Sequence, residues 1–190
     1  MDTLQASAAS GVEGWLQAIS ARRASPAAGS AVAISAAWGV ALLIKQARLS
    51  SLEALPERAR LETELEATRD RLMALAEADA AAITAWLRTR RLAKDDPARC
   101  GAIQSMAEMP LEAAELCQAA LLAAQPLLER GCPGARSDGQ VGVQLLATCQ
   151  SAFGLLARAN LSALRDPAVS EAVRSRIEAL ARDTMMRLAP

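Results

Sequence analysis

Residues 24–44 read ASPAAGSAVAISAAWGVALLI, twenty-one positions without a charge, opened by Ser25-Pro26 and built largely from Ala, Gly and Ser. The length would let such a run cross a bilayer, and Arg22-Arg23 in front of it imitate the basic region of a signal peptide. Its small residues are only weakly hydrophobic, however, and the stretch before it carries Asp2 and Glu13, unlike a targeting sequence. A helix apolar on all sides is otherwise a buried core helix. Gly29, Ala33, Ala37 and Ala41 recur every four positions and would form a smooth face for close helix approach. The run predicts the central helix of a bundle, or a seam between two copies.

The surrounding composition supports a helical chain. Of 190 residues, 45 are Ala and 27 are Leu, while Tyr and His are absent and aromatics amount to one Phe and three Trp. Strands favour β-branched and aromatic residues, and helices favour Ala, Leu, Arg, Glu and Gln, so the class is all-α. The length suits one domain, 1–190, with a single sizeable core. Pro and Gly breaks divide it into six or seven helices. The first covers about 3–20, and the central one about 30–49. An amphipathic stretch over 51–91 is one long helix or two joined near 69–71. Asp96 is a cap for Pro97 at a helix start, and Pro110 kinks or restarts that helix. Gly131-Cys132-Pro133-Gly134 is a break. A second charge-poor helix follows from Val141 to at least Ala157, and Asp166-Pro167 opens the last, with Val169, Val173, Ile177 and Leu180 on one face.

Several functions are excluded or disfavoured at this level. Without His there is no Ser–His or Cys–His nucleophile pair and no His-based metal site. Proton transfer falls to carboxylates, Lys45, Lys94, a cysteine or water. Twenty-one basic residues balance twenty-one acidic ones, which argues against a nucleic-acid partner. Cys100, Cys117, Cys132 and Cys149 are spaced for neither zinc nor a disulfide framework and read as small apolar residues. The expectation is a cytoplasmic protein with no metal and no membrane span.

Three places combine polar residues with helix starts or apolar faces. In Ser25-Pro26-Ala27-Ala28-Gly29-Ser30, free N–H groups and Ser hydroxyls could hold an anion or a polar ligand edge, or simply cap a helix. Ser137-Asp138-Gly139-Gln140 fits a capping box, with Asp138 suited to the helix dipole or to chemistry. Asp79 shares a face with Leu75 and Ile83, where a carboxylate is costly unless it has a partner or borders a cleft. It is either a raised-pKa acid–base group or the partner of an Arg.

Together these segments resemble the cyclodeaminase/methenyltetrahydrofolate cyclohydrolase family, which includes the C-terminal domain of formiminotransferase-cyclodeaminases. The Ser25–Ser30 loop is similar to the family's Thr-Pro-Gly-Gly-Gly-Ser. Ala76 with Asp79, Met109-Pro110-Leu111, Gly131-x-Pro133-x-Ala135-x-Ser137-Asp138 and Asn160-Leu161-x-x-Leu164-x-Asp166 follow in order. The resemblance implies an all-α homodimer acting on a tetrahydrofolate derivative, with no cofactor beyond that substrate. Either formimino-tetrahydrofolate loses ammonia to give the methenyl form, or the methenyl form is hydrolysed to 10-formyl-tetrahydrofolate. Carried over by position, Asp79 and Asp138 would move protons, while Ser25, Gly29, Ser30, Ser137 and Asn160 would line the folate cleft. The chain departs from the family at Ala27 and Ala28, where glycine is usual, and at Arg48, Cys132 and Ala157, where Asn is common. Those departures leave an alternative, a catalytically degenerate helical relative that binds a ligand or a protein.

Overall fold

A computed structural model describes residues 11–161, 164 and 167–188. Its helices are α1 (Gly11–Ser20), α2 (Ala28–Leu49), α3 (Arg58–Thr89), α4 (Pro97–Arg130), α5 (Arg136–Leu161) and α6 (Pro167–Leu188), with a 3₁₀ turn at Pro133–Ala135 leading directly into α5. Expected helix before Gly11, and Asp166 as the start of the last helix, lie outside the described residues.

Helices α2 to α5 form an up-down-up-down bundle, each packed against its neighbours in sequence, with α5 closing back on α2. The directions follow from the contacts. Ser25 and Ser30 meet Ala80 and Ala76 on α3, whereas Arg48 at the other end of α2 meets Glu66. Lys45 meets Asp138 at the start of α5. Helix α6 packs across α4 and α5, where Val173 and Ile177 cover Leu111 and Ala157. The uncharged run is thus the core helix α2, and its ten buried residues include Ala36, Val40, Leu43 and Ala47.

The close approach in α2 is not along the row of small residues spaced by four. With 3.6 residues per turn such a row drifts by about 40° per step, so Ala33 and Ala37 are buried but Ala41 is exposed. The contact centres on Gly39 and Gly142 of α5. A Cβ on Gly142 would lie 2.7 Å from the Gly39 carbonyl oxygen, so these two backbones meet with nothing between them.

Of the two readings of the stretch 51–91, the single long helix holds, preceded by turns. Pro110 does not restart its helix: α4 runs unbroken through Pro110 and Pro126. Pro110 has no N–H for the carbonyl of Met106, four residues earlier. Asn160 Nδ2 of α5 donates to that same carbonyl at 2.7 Å. A side chain from the neighbouring helix therefore supplies the hydrogen bond that proline removes, and the buried Pro110 fits within a continuous helix. The cap at Asp96 is formed as expected, its carboxylate accepting from the Ala98 N–H at 2.9 Å.

Candidate functional site

At the start of α2 the N-cap residue is Ala27, which has no side-chain acceptor to offer. The missing cap comes from α3. Asp79 Oδ2 accepts from the Ser30 backbone N–H at 2.9 Å and lies 3.0 Å from Ser30 Oγ. The Ser30 hydroxyl also donates to the Ala76 carbonyl at 2.8 Å, and Ser25 Oγ donates to the Ala80 carbonyl at 3.1 Å. Four residues expected at the site, Ser25, Gly29, Ser30 and Asp79, therefore meet at one α2–α3 seam. The group found at this helix start, where the sequence suggested a bound anion, is the protein's own Asp79 carboxyl.

Gly29 is what lets Asp79 come so close. A Cβ there would lie 2.3 Å from Asp79 Oδ1, so this carboxylate oxygen rests over the glycine Cα. The preceding alanines need no such space. Ala27 is at φ −131°, and Gly11 is the only described residue with φ in the left-handed region. The two Gly-to-Ala departures are compatible with the backbone found here.

Two opposing influences act on the protonation of Asp79. Ser30 Oγ has one proton and two oxygen neighbours, the Ala76 carbonyl and Asp79 Oδ2. Both can accept that proton, so the hydroxyl is shared between the carbonyl and the carboxyl. Burial pushes the Asp79 pKa above the ordinary carboxylate range, against the lowering effect of the two Ser30 hydrogen bonds. No described Arg or Lys pairs with Asp79, so the arginine partner considered from sequence is replaced by a serine. The result is a partly buried carboxyl with a raised pKa and with Oδ1 unbonded among the described residues, an arrangement suited to exchanging a proton with a bound ligand.

Asp138 stands elsewhere. It lies in the first turn of α5 and accepts an ion pair from Lys45 Nζ at 2.8 Å. Lys45 is fifteen residues beyond Ser30 on the same helix, about 22 Å along its axis. The two aspartates therefore cannot act on one carbon within one chain. The expected capping box at Ser137 is not formed, because the turn at Pro133–Ala135 starts α5 at Arg136 and leaves Ser137 inside the first turn, exposed. Asn160 is engaged with Met106, as described above. Sequence spacing had no way to pair Lys45 with Asp138. It also gave no weight to Gln46, fully buried beside them, whose Nε2 donates to the Leu127 carbonyl at 2.8 Å. The legible signal for Gln46 was its position three residues after Leu43, on the buried face.

Among the described residues no group of three His, Cys, Asp or Glu side chains could hold a metal ion. Comparison with known proteins adds the following. The profile of the formiminotransferase-cyclodeaminase family matches residues 11–179. The formimidoyltransferase-cyclodeaminase of Sus scrofa is 31% identical over 190 residues, covering 92% of this chain, which spans 35% of that relative's length. The crystal structure of a formiminotetrahydrofolate cyclodeaminase from Thermotoga maritima superposes with a TM-score of 0.86 at 17% identity, covering 92% of this chain and 89% of that one. At that identity the likeness bears on the fold.

Proposed function

This chain belongs to the formiminotransferase-cyclodeaminase family, and on that footing we propose that it is a folate one-carbon enzyme whose proton carrier is Asp79. The substrate is a tetrahydrofolate bearing a formimino group at N5; the Thermotoga maritima protein is named a formiminotetrahydrofolate cyclodeaminase and the Sus scrofa relative a formimidoyltransferase-cyclodeaminase. The observation that carries the reading is the Asp79–Ser30 pair, a carboxyl with a raised pKa, held in place by a helix start and free at one oxygen.

The reaction follows from what such a group can do. N10 adds to the carbon of the formimino group in its protonated, cationic form, giving a tetrahedral carbon with a protonated N10 and an amino group. Neutral Asp79 gives its proton to the amino nitrogen. The carboxylate left behind takes the N10 proton and becomes neutral again. Ammonia departs, and the N5 lone pair completes the methenyl cation. Charge and protons balance without a metal or redox cofactor. Ser30 keeps the carboxyl oriented throughout, since its N–H and hydroxyl hold Oδ2. Hydrolysis of a methenyl substrate would use the same carboxyl with water in place of the amine.

A homodimer is part of this proposal. The outer face of α2 and α5 carries exposed Trp38 and Val141 beside a groove of about 460 Å³, lined by Ala31, Val32, Ser35 and Leu145 among others. No charged side chain lines the groove, and apolar exposure of this kind marks an interface. All four cysteines are free thiols, which supports a cytoplasmic working place.

The test is turnover by the purified chain of 5-formimino-tetrahydrofolate, followed by ammonia release and methenyl absorbance. Conversion above the buffer rate that disappears in Asp79→Asn supports the proposal. Folate binding measured by calorimetry without any turnover would instead favour the degenerate relative.

A further inference from the structure

On the far side of α5 from α2, a cleft of about 510 Å³ opens between the end of α5 and the first turns of α6. Its floor is apolar, made by Leu161, Leu164 and Ile177. Its polar groups come from both helices. Arg158 projects from α5, and Ser170, Arg174 and Glu178 recur at four-residue intervals along α6, which places them in one row facing the cleft. We propose that this cleft binds a small organic monocarboxylate with an apolar body, at a site separate from the Asp79 seam.

The charges point to that class. Arg158 makes no ion pair with a described residue, and Arg174 has only a loose contact with Glu171 at 3.9 Å, both ends well exposed. Glu178, the one acid among the described lining residues, is itself drawn towards Arg182 at 3.9 Å. Among the described residues, two guanidiniums against one carboxylate leave the lining with a surplus of one positive charge. A monoanion balances that surplus, whereas a dianion such as phosphate meets Glu178 as an added repulsion and a cation meets two arginines. Guanidinium groups take a planar carboxylate through paired, charge-assisted hydrogen bonds. The leucine and isoleucine floor then requires an apolar body attached to the carboxylate, because a bare anion would leave that surface wet. The Asp79 chemistry is not invoked, so this site stands or falls apart from it.

The experiment is an NMR and calorimetric titration of the full chain with hexanoate, using hexylammonium and inorganic phosphate as charge controls. Saturable hexanoate binding is expected, with shifts at the Leu164 and Ile177 methyls and about tenfold or greater weakening in Arg158→Gln, the weight of one charge-assisted hydrogen bond. Arg158 is exposed, so the variant should keep the thermal midpoint of the parent, which separates lost binding from lost fold. Arg174→Gln should weaken binding similarly. Three results would overturn the assignment: no saturable hexanoate binding, equal binding by hexylammonium or phosphate, or binding unchanged in both arginine variants.

Discussion

Asp79 is the residue on which stability and activity should respond to pH together. Folded, it holds its proton more tightly than the unfolded chain does, because burial disfavours the charge. From about pH 3.9, the ordinary Asp value, up to its raised folded pKa, the native state therefore binds more protons than the unfolded one. Stability must fall as pH rises through that window and level off above it. Chemical denaturation across the window should show this slope in the parent and not in Asp79→Asn. The same substitution should lower turnover by roughly 10²–10⁴-fold, the usual weight of general acid–base catalysis. Gly29→Ala is the complementary probe. The new Cβ would collide with Oδ1, and the short Asp side chain can swing away at little cost to the fold. Turnover should fall steeply while the thermal midpoint stays within a few degrees of the parent. Asp79 was visible in the sequence through its spacing from Leu75 and Ile83. Its partner was not: the separation of Ser30 and Asp79 by forty-nine residues is set by the antiparallel packing of α2 on α3, which no local pattern encodes.

At the level of helices, what could be read ahead were features with a local cause. Caps such as Asp96, breaks at Gly131–Gly134 and the charge-poor runs that became α2 and α5 all belong to this kind. The continuity of α4 had to come from the fold, because it depends on Asn160 reaching across from α5 to the carbonyl that Pro110 leaves without a donor. Asn160→Ala should therefore cost about 1–3 kcal/mol, the penalty for an unsatisfied carbonyl, measured by urea denaturation. In Asn160→Ala with Pro110→Ala the N–H returns, and most of that loss should be recovered. A full loss persisting in the double variant would show that Asn160 acts by some other route. The Gly39–Gly142 crossing makes a second demand on the same bundle. Gly142→Ala brings a Cβ to 2.7 Å from a backbone oxygen that cannot rotate away, and overpacking of this sort destabilises by about 1–3 kcal/mol.

Across the whole molecule, the central helix divides the candidate residues between its two ends, with Asp79 and Ser30 at one and Lys45 and Asp138 at the other. The motif order along the chain pointed to Ser30, Asp79 and Asp138 but not to Lys45, and order alone does not say which share a cleft. Between the ends runs the uncharged outer face of α2 and α5. Trp38→Glu at its centre should convert a dimer to a monomer in analytical ultracentrifugation, since a buried charge without a partner cannot be tolerated there. A parent chain that sediments as a monomer would remove the dimer from the account. The most direct test of the central assignment is a paired rate measurement on 5-formimino-tetrahydrofolate at neutral pH with Asp79→Asn and Asp138→Asn. Loss of turnover in the first with most of it kept in the second is the predicted result. Full activity in Asp79→Asn, with loss confined to Asp138→Asn, would contradict it.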